Sequence, residues 1–148
     1  MIKRLRFLGV TGEPLAAVFH PPHPTGPDSG VRGSLLVVHC FTCSKDLNTM
    51  SRLARGLAGA GFAVLRFDFT GLGESGGDFS TTTLSTNLGD LARAVACLQE
   101  RAPGPIGLIP DQRDRDVGPD GVAVFVEVGL LHPGRNRGRE LDHEHVRI

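Results

Sequence analysis

Buried strands and amphipathic helices alternate through the first part of the chain, and this order constrains the fold more than any other feature. The apolar runs at 34–39 and 62–69 are typical of strands buried on both faces. Residues 46–60 and 84–101 place apolar side chains at the spacing i, i+3, i+4, i+7, which predicts two helices. Short connections between such elements predict an α/β fold with a mainly parallel sheet covered on both faces.

A hairpin is predicted before this alternation. Residues 3–9 and 14–20 are strand-like, and Gly12-Glu13 between them is typical of a turn. In the second helix, five apolar residues predict the buried side: Leu84, Leu88, Leu91, Val95 and Leu98.

The sequence changes character after residue 102. Pro and Gly end the second helix, and the periodicity weakens, so we divide the chain into 1–102 and an atypical, poorly ordered tail at 103–148. Within the tail, 122–131 could form a strand on the open sheet edge. Residues 107–110 are too short to be a good strand, although 106–109 could be the remnant of one. All basic residues of the tail are Arg, and it contains no Ser. A frameshift in GC-rich DNA would explain this usage; a genuine C-terminal element is the competing hypothesis.

Composition excludes several classes of partner. Sixteen basic and sixteen acidic residues cancel, so neither a nucleic acid nor a membrane surface is indicated as a partner. No apolar run approaches the ~20 residues that span a bilayer, and no secretory signal follows the basic N-terminus. Three cysteines without a framework spacing indicate a reducing compartment, so we expect a cytoplasmic protein.

Two segments whose residues could take part in catalysis follow the two central strands. The first reads His-Cys-Phe-Thr-Cys-Ser-Lys-Asp at 39–46, and the second spans 65–75. The carboxyl ends of parallel strands are where α/β folds place ligand sites, and backbone N–H groups there can stabilise an oxyanion. We therefore expect the two loops to lie beside each other at one edge of the sheet.

These segments resemble motifs of the serine α/β-hydrolases. The first is similar to the family's His-Gly-x loop, with Cys40 in place of Gly, and the longer string is similar to the hydrolase part of proteins that also carry an OsmC-like domain. The second resembles the family's D-x-R-G-x-G-x-S loop, with Thr70 in place of Arg. The resemblance covers roughly 1–102. It implies hydrolysis of a small-molecule ester or similar acyl bond, with no cofactor and no metal.

The resemblance also assigns roles to individual residues. It places His39 and Cys40 in the active-site loop and makes the backbone N–H of Phe41 an oxyanion donor. The structural loop would contain Asp68, Gly71, Gly73 and Ser75.

No catalytic nucleophile, acid or histidine can be assigned. The family's nucleophile follows the strand after the second helix, but 105–113 contains no Ser, and no Ser occurs after Ser85. Later His and Asp residues match no family motif. We therefore expect a partial fold, truncated before the nucleophile elbow and inactive on its own. Its open sheet edge would favour self-association.

Three other interpretations remain open. Cys40-x-x-Cys43 has the spacing of a redox pair or half a zinc site, although two buried cysteines are the simpler interpretation. The loop 71–76, with Asp90 further on, matches the outline of an NAD(P)-binding fingerprint. Residues 73–77 satisfy G-x-S-x-G, but no strand leads directly into them and no helix follows directly, so Ser75 is expected to brace the loop. The half-sheet could also serve as a non-catalytic binding module.

Overall fold

The computed structural model describes residues 1–24, 30–39, 47–110 and 126–128. Within these ranges the elements are β1 (Lys3–Leu8), β2 (Pro14–His20), β3 (Gly33–Val38), α1 (Leu47–Gly59), β4 (Phe62–Phe67), α2 (Leu84–Arg101), β5 (Ile106–Pro110) and β6 (Val126–Val128). A short 3-10 helix, Phe79–Thr81, precedes α2.

One sheet contains all described strands in the order β1-β2-β4-β3-β5-β6. Its centre, β4-β3-β5, is parallel, while the β1–β2 hairpin and β6 are antiparallel to their neighbours. Val38 at the end of β3 is opposite both Phe67 of β4 and Pro110 of β5. The three parallel strands therefore end in register, and the chain leaves all of them at the same edge. The predicted α/β architecture with an N-terminal hairpin is confirmed.

The helices cover opposite faces of the sheet. Alternate residues of β4 face opposite sides: Leu65 joins the core that includes Leu98 of α2, whereas Val64 joins the core that includes Ala54 of α1. Leu36, Leu65 and Leu98 are each 0% exposed. Burying a Leu side chain fully contributes about 1.5–3 kcal/mol, so each of these three residues adds measurably to the stability of the half-sheet.

The buried side of α2 differs from the predicted one. Leu84 and Leu88 are 74% and 57% exposed, so these two assignments are wrong. The buried residues are Asp90, Ala94, Cys97 and Leu98. The close approach of the helix at Gly89 explains the rotation, because a Cβ there would lie 2.7 Å from Cβ of Val10. Only small or hydrogen-bonded residues fit on a helix face that packs so closely. A search for large apolar residues at helical spacing therefore does not find this face.

The sheet also continues past the predicted boundary at residue 102. Helix α2 ends at Arg101 as expected, but β5 then pairs in parallel with β3. Strand β6 lies within the predicted segment 122–131 and pairs with the outer edge of β5. The short apolar segment at 106–110 forms a strand because the buried strand β3 is available beside it for pairing. No helix in the described ranges is long and apolar enough to cross a membrane.

The corrected helix face can be tested with a matched pair of variants. We expect Leu98→Ala to lower the free energy of unfolding by about 2–5 kcal/mol, because it leaves a cavity in the core. Leu84→Ala should change it by less than about 0.5 kcal/mol, since that side chain is exposed. Urea unfolding of both variants measures the difference. Equal losses would contradict the rotation of α2 seen here.

Candidate active-site edge of the sheet

The carboxylate of Asp68 connects the ends of β3 and β4. Its Oδ1 lies 3.0 Å from Nε2 of His39, and its Oδ2 accepts the backbone N–H of Glu74 at 3.1 Å. The side chains of His39 and Asp68 are only 20% and 19% exposed. The start of the first predicted loop and the whole of the second therefore lie together at the carboxyl edge of the sheet, where parallel α/β folds bind ligands.

The surroundings of Asp68 favour its ionised form. Burial raises the pKa of this carboxyl, but the hydrogen bonds from His39 and from the N–H of Glu74 lower it more, with help from the positive charge of Arg66. An ionised carboxylate only accepts hydrogen bonds, so Nε2 of His39 carries the hydrogen in this pair. The ring of His39 also meets Phe69 edge-on, with centroids 6.2 Å apart.

Gly73 lets the loop fold back against this carboxylate. Its φ is +54°, and a Cβ on it would lie 2.3 Å from Oδ2 of Asp68. A side chain at this position would push the carboxylate out of place. The expected structural role of Gly73 thus has a direct steric basis.

Ser75 braces the loop against β2. Its hydroxyl donates to the backbone carbonyl of Asp68 at 2.6 Å and accepts the N–H of Ala16 at 2.8 Å. The hydroxyl therefore both donates and accepts a hydrogen bond, and neither partner is a histidine. These two contacts join the loop to β2, and the G-x-S-x-G string at 73–77 is followed by the 3-10 helix Phe79–Thr81 and not directly by α2.

The loop amides argue against a nucleotide phosphate site. Five backbone N–H groups of the loop donate within the protein: those of Gly71, Leu72, Glu74, Ser75 and Gly76. The loop leads into the short 3-10 helix and not directly into a long one. A dinucleotide fingerprint needs free amides at a helix N-terminus. The NAD(P)-binding interpretation is therefore not supported.

Asp90 of α2 holds the same loop at Thr70. Its side chain is 0% exposed. One carboxylate oxygen accepts both the N–H and the hydroxyl of Thr70, at 3.1 and 2.7 Å, while the other accepts the N–H of Val10 at 3.0 Å. Sequence reasoning missed this contact, having considered Asp90 only as part of the outline of an NAD(P)-binding fingerprint. The available signal was an Asp at helical spacing from Ala94 and Cys97.

Arg66 and His20 form a second polar contact, part-buried, on the α1 side. Nε of Arg66 donates to Nε2 of His20 at 3.5 Å, and Nδ1 of His20 has no partner in the described part of the chain. Burial first, and then the charges of Arg66 and Arg55 with a smaller effect of His23, lower the pKa of His20 to about 4. The imidazole is therefore neutral at physiological pH.

Part of the expected site lies outside the described residues. This applies to Cys40, Phe41 and Cys43, and with them to the oxyanion donor and the redox or zinc pair. Among the residues that are described, no three His, Cys, Asp or Glu side chains are grouped as a metal ion would require.

Comparison with solved structures gives the fold. A lidless α/β serine hydrolase from Xanthomonas campestris matches with a TM-score of 0.59 and 24% identity, over 74% of this chain and 50% of that one. An α/β-hydrolase from a Penicillium species matches with a TM-score of 0.61 and 20% identity, over 74% and 37% of the two chains. An esterase from Pyrococcus furiosus matches with a TM-score of 0.58 and 24% identity, over 74% and 40%. The chain has the α/β-hydrolase fold.

The match is to part of that fold. The chain spans half or less of the length of these α/β-hydrolases. No family model matches the sequence, and no curated protein matches it either.

We expect Ser75→Ala to lower the free energy of unfolding by about 1–3 kcal/mol, because it leaves a part-buried carbonyl and N–H without partners. Ser85→Ala is the matched control: Ser85 is exposed in the first turn of α2, and its loss should cost less than about 0.5 kcal/mol. Chemical unfolding followed by circular dichroism measures both. Equal stability of the two variants would rule out the bracing role.

Acid should destabilise the fold through His20. Its pKa is about 4 in the folded chain against 6.5 when unperturbed, so the unfolded chain binds the extra proton first. Stability from this group is complete above pH 6.5 and falls as the pH drops towards 4, by about 2–3 kcal/mol at pH 4.5.

Urea unfolding of His20→Gln and of His23→Gln tests this effect of pH. The first variant should lose the pH dependence between 7 and 4.5, whereas the second, at an exposed position, should keep most of it, because His23 is the smallest of the causes that lower the pKa of His20. Asp68, whose pKa is lowered, changes the stability only in more acid solution. It therefore does not obscure the change expected between pH 7 and 4.5. Parallel profiles of wild type and His20→Gln would show that another group is responsible.

Proposed function

We propose that this chain carries the N-terminal half of a serine α/β-hydrolase domain, whose parent activity is hydrolysis of a small-molecule ester or related acyl bond. The observation that carries the proposal is the edge where β4, β3 and β5 end in register, with the loops after β3 and β4 joined by Asp68 and His39. The esterase and the serine hydrolase with the same fold support the choice of chemistry.

In this proposal Asp68 and His39 position the oxyanion loop. His39 directly precedes Cys40 and Phe41, the residues whose backbone the family resemblance places at the oxyanion. Holding the ring of His39 at the end of β3 fixes the point from which that loop departs. Preorganised N–H donors account for much of the rate in acyl transfer, so a positioning residue here affects the transition state.

We also propose that the chain is inactive alone, since the described part offers no activated nucleophile. The Ser75 hydroxyl is bonded to backbone on both sides. The Ser34 hydroxyl donates to the carbonyl of Ala102. Burial raises the pKa of the Cys97 thiol, which leaves it protonated and unreactive. Directly after β5, where the family has its nucleophile, the sequence reads Asp111-Gln112-Arg113.

The purified chain should not accelerate hydrolysis of p-nitrophenyl acetate above the uncatalysed rate, and Ser75→Ala and Ser85→Ala should give the same result. The measurement is the initial rate against protein concentration. Turnover that is lost in Ser75→Ala and kept in Ser85→Ala would identify Ser75 as a nucleophile and overturn this part of the proposal. Turnover that survives in both variants would overturn the proposed inactivity.

The parent activity can be tested separately. If a frameshift replaced the nucleophile region, one reading frame of the DNA after codon 102 should encode a Gly-x-Ser-x-Gly string following a strand. A chain that joins residues 1–102 to that frame should hydrolyse the same ester, and replacing its new Ser by Ala should abolish the activity. Absence of the string in every frame would reject the frameshift and favour a genuine C-terminal element.

A further inference from the structure

We draw no further inference here: the strongest candidate, the exposed apolar side of α2 at Leu84 and Leu88 with Val10 of the hairpin turn beside it at Gly89, carries nothing because nothing in the structure shows what covers it.

Discussion

The carboxylate of Asp90 lies where three parts of the molecule meet: helix α2, the loop after β4 and the turn of the N-terminal hairpin. It is fully buried, and it accepts three hydrogen bonds, two from Thr70 and one from Val10. A buried carboxylate is tolerated only when its oxygens are satisfied in this way. The requirement fixes both the rotation of α2 and the position of its two partners. A Cβ on Gly9 would lie 2.6 Å from this carboxylate, so the hairpin turn needs glycine there.

A second carboxylate, that of Asp68, depends on the first. Thr70 is held by Asp90, and the loop that follows Thr70 closes over Asp68, where Gly73 and the N–H of Glu74 meet the carboxylate. His39 then joins β3 to this arrangement. The buried carboxylate of Asp90 and the part-buried carboxylate of Asp68 therefore hold the loops in place. Five backbone N–H groups of the loop donate within the protein, so these groups are not available to a ligand phosphate.

The half-fold places basic and acidic groups unequally. The acidic side chains near β4 are bonded to the loop, whereas Arg66 shares its face with other cations and with a neutral His20. Burial makes this imbalance matter, because a charge in the half-buried sheet is screened less than one at the surface. The edge of the sheet thus carries an ionised, hydrogen-bonded carboxylate, while the α1 face beside it carries Arg66 against a neutral imidazole.

The sequence by itself determined the local elements. Hydrophobic spacing predicted the hairpin, β3, β4 and both helices with boundaries close to those observed, since these depend on periodicity, glycine and proline. It also determined that loops 39–46 and 65–75 follow neighbouring strands, and their residues carried the resemblance to hydrolases. The sequence also argued against Ser75 as a nucleophile, because the string around it lacks a strand directly before it and a helix directly after it.

Tertiary structure alone decided the rest. Leu84 and Leu88 follow the helical pattern yet are exposed, because a buried hydrogen-bonded Asp90 and a close contact at Gly89 set the rotation of α2. The five residues of β5 form a strand because β3 offers a partner on its free edge, which a local pattern cannot reveal. The pairing of His39 with Asp68, and of Arg66 with His20, joins residues 29 and 46 positions apart. Contacts of that separation depend on how the strands are ordered in the sheet, and no local property of the sequence encodes that order.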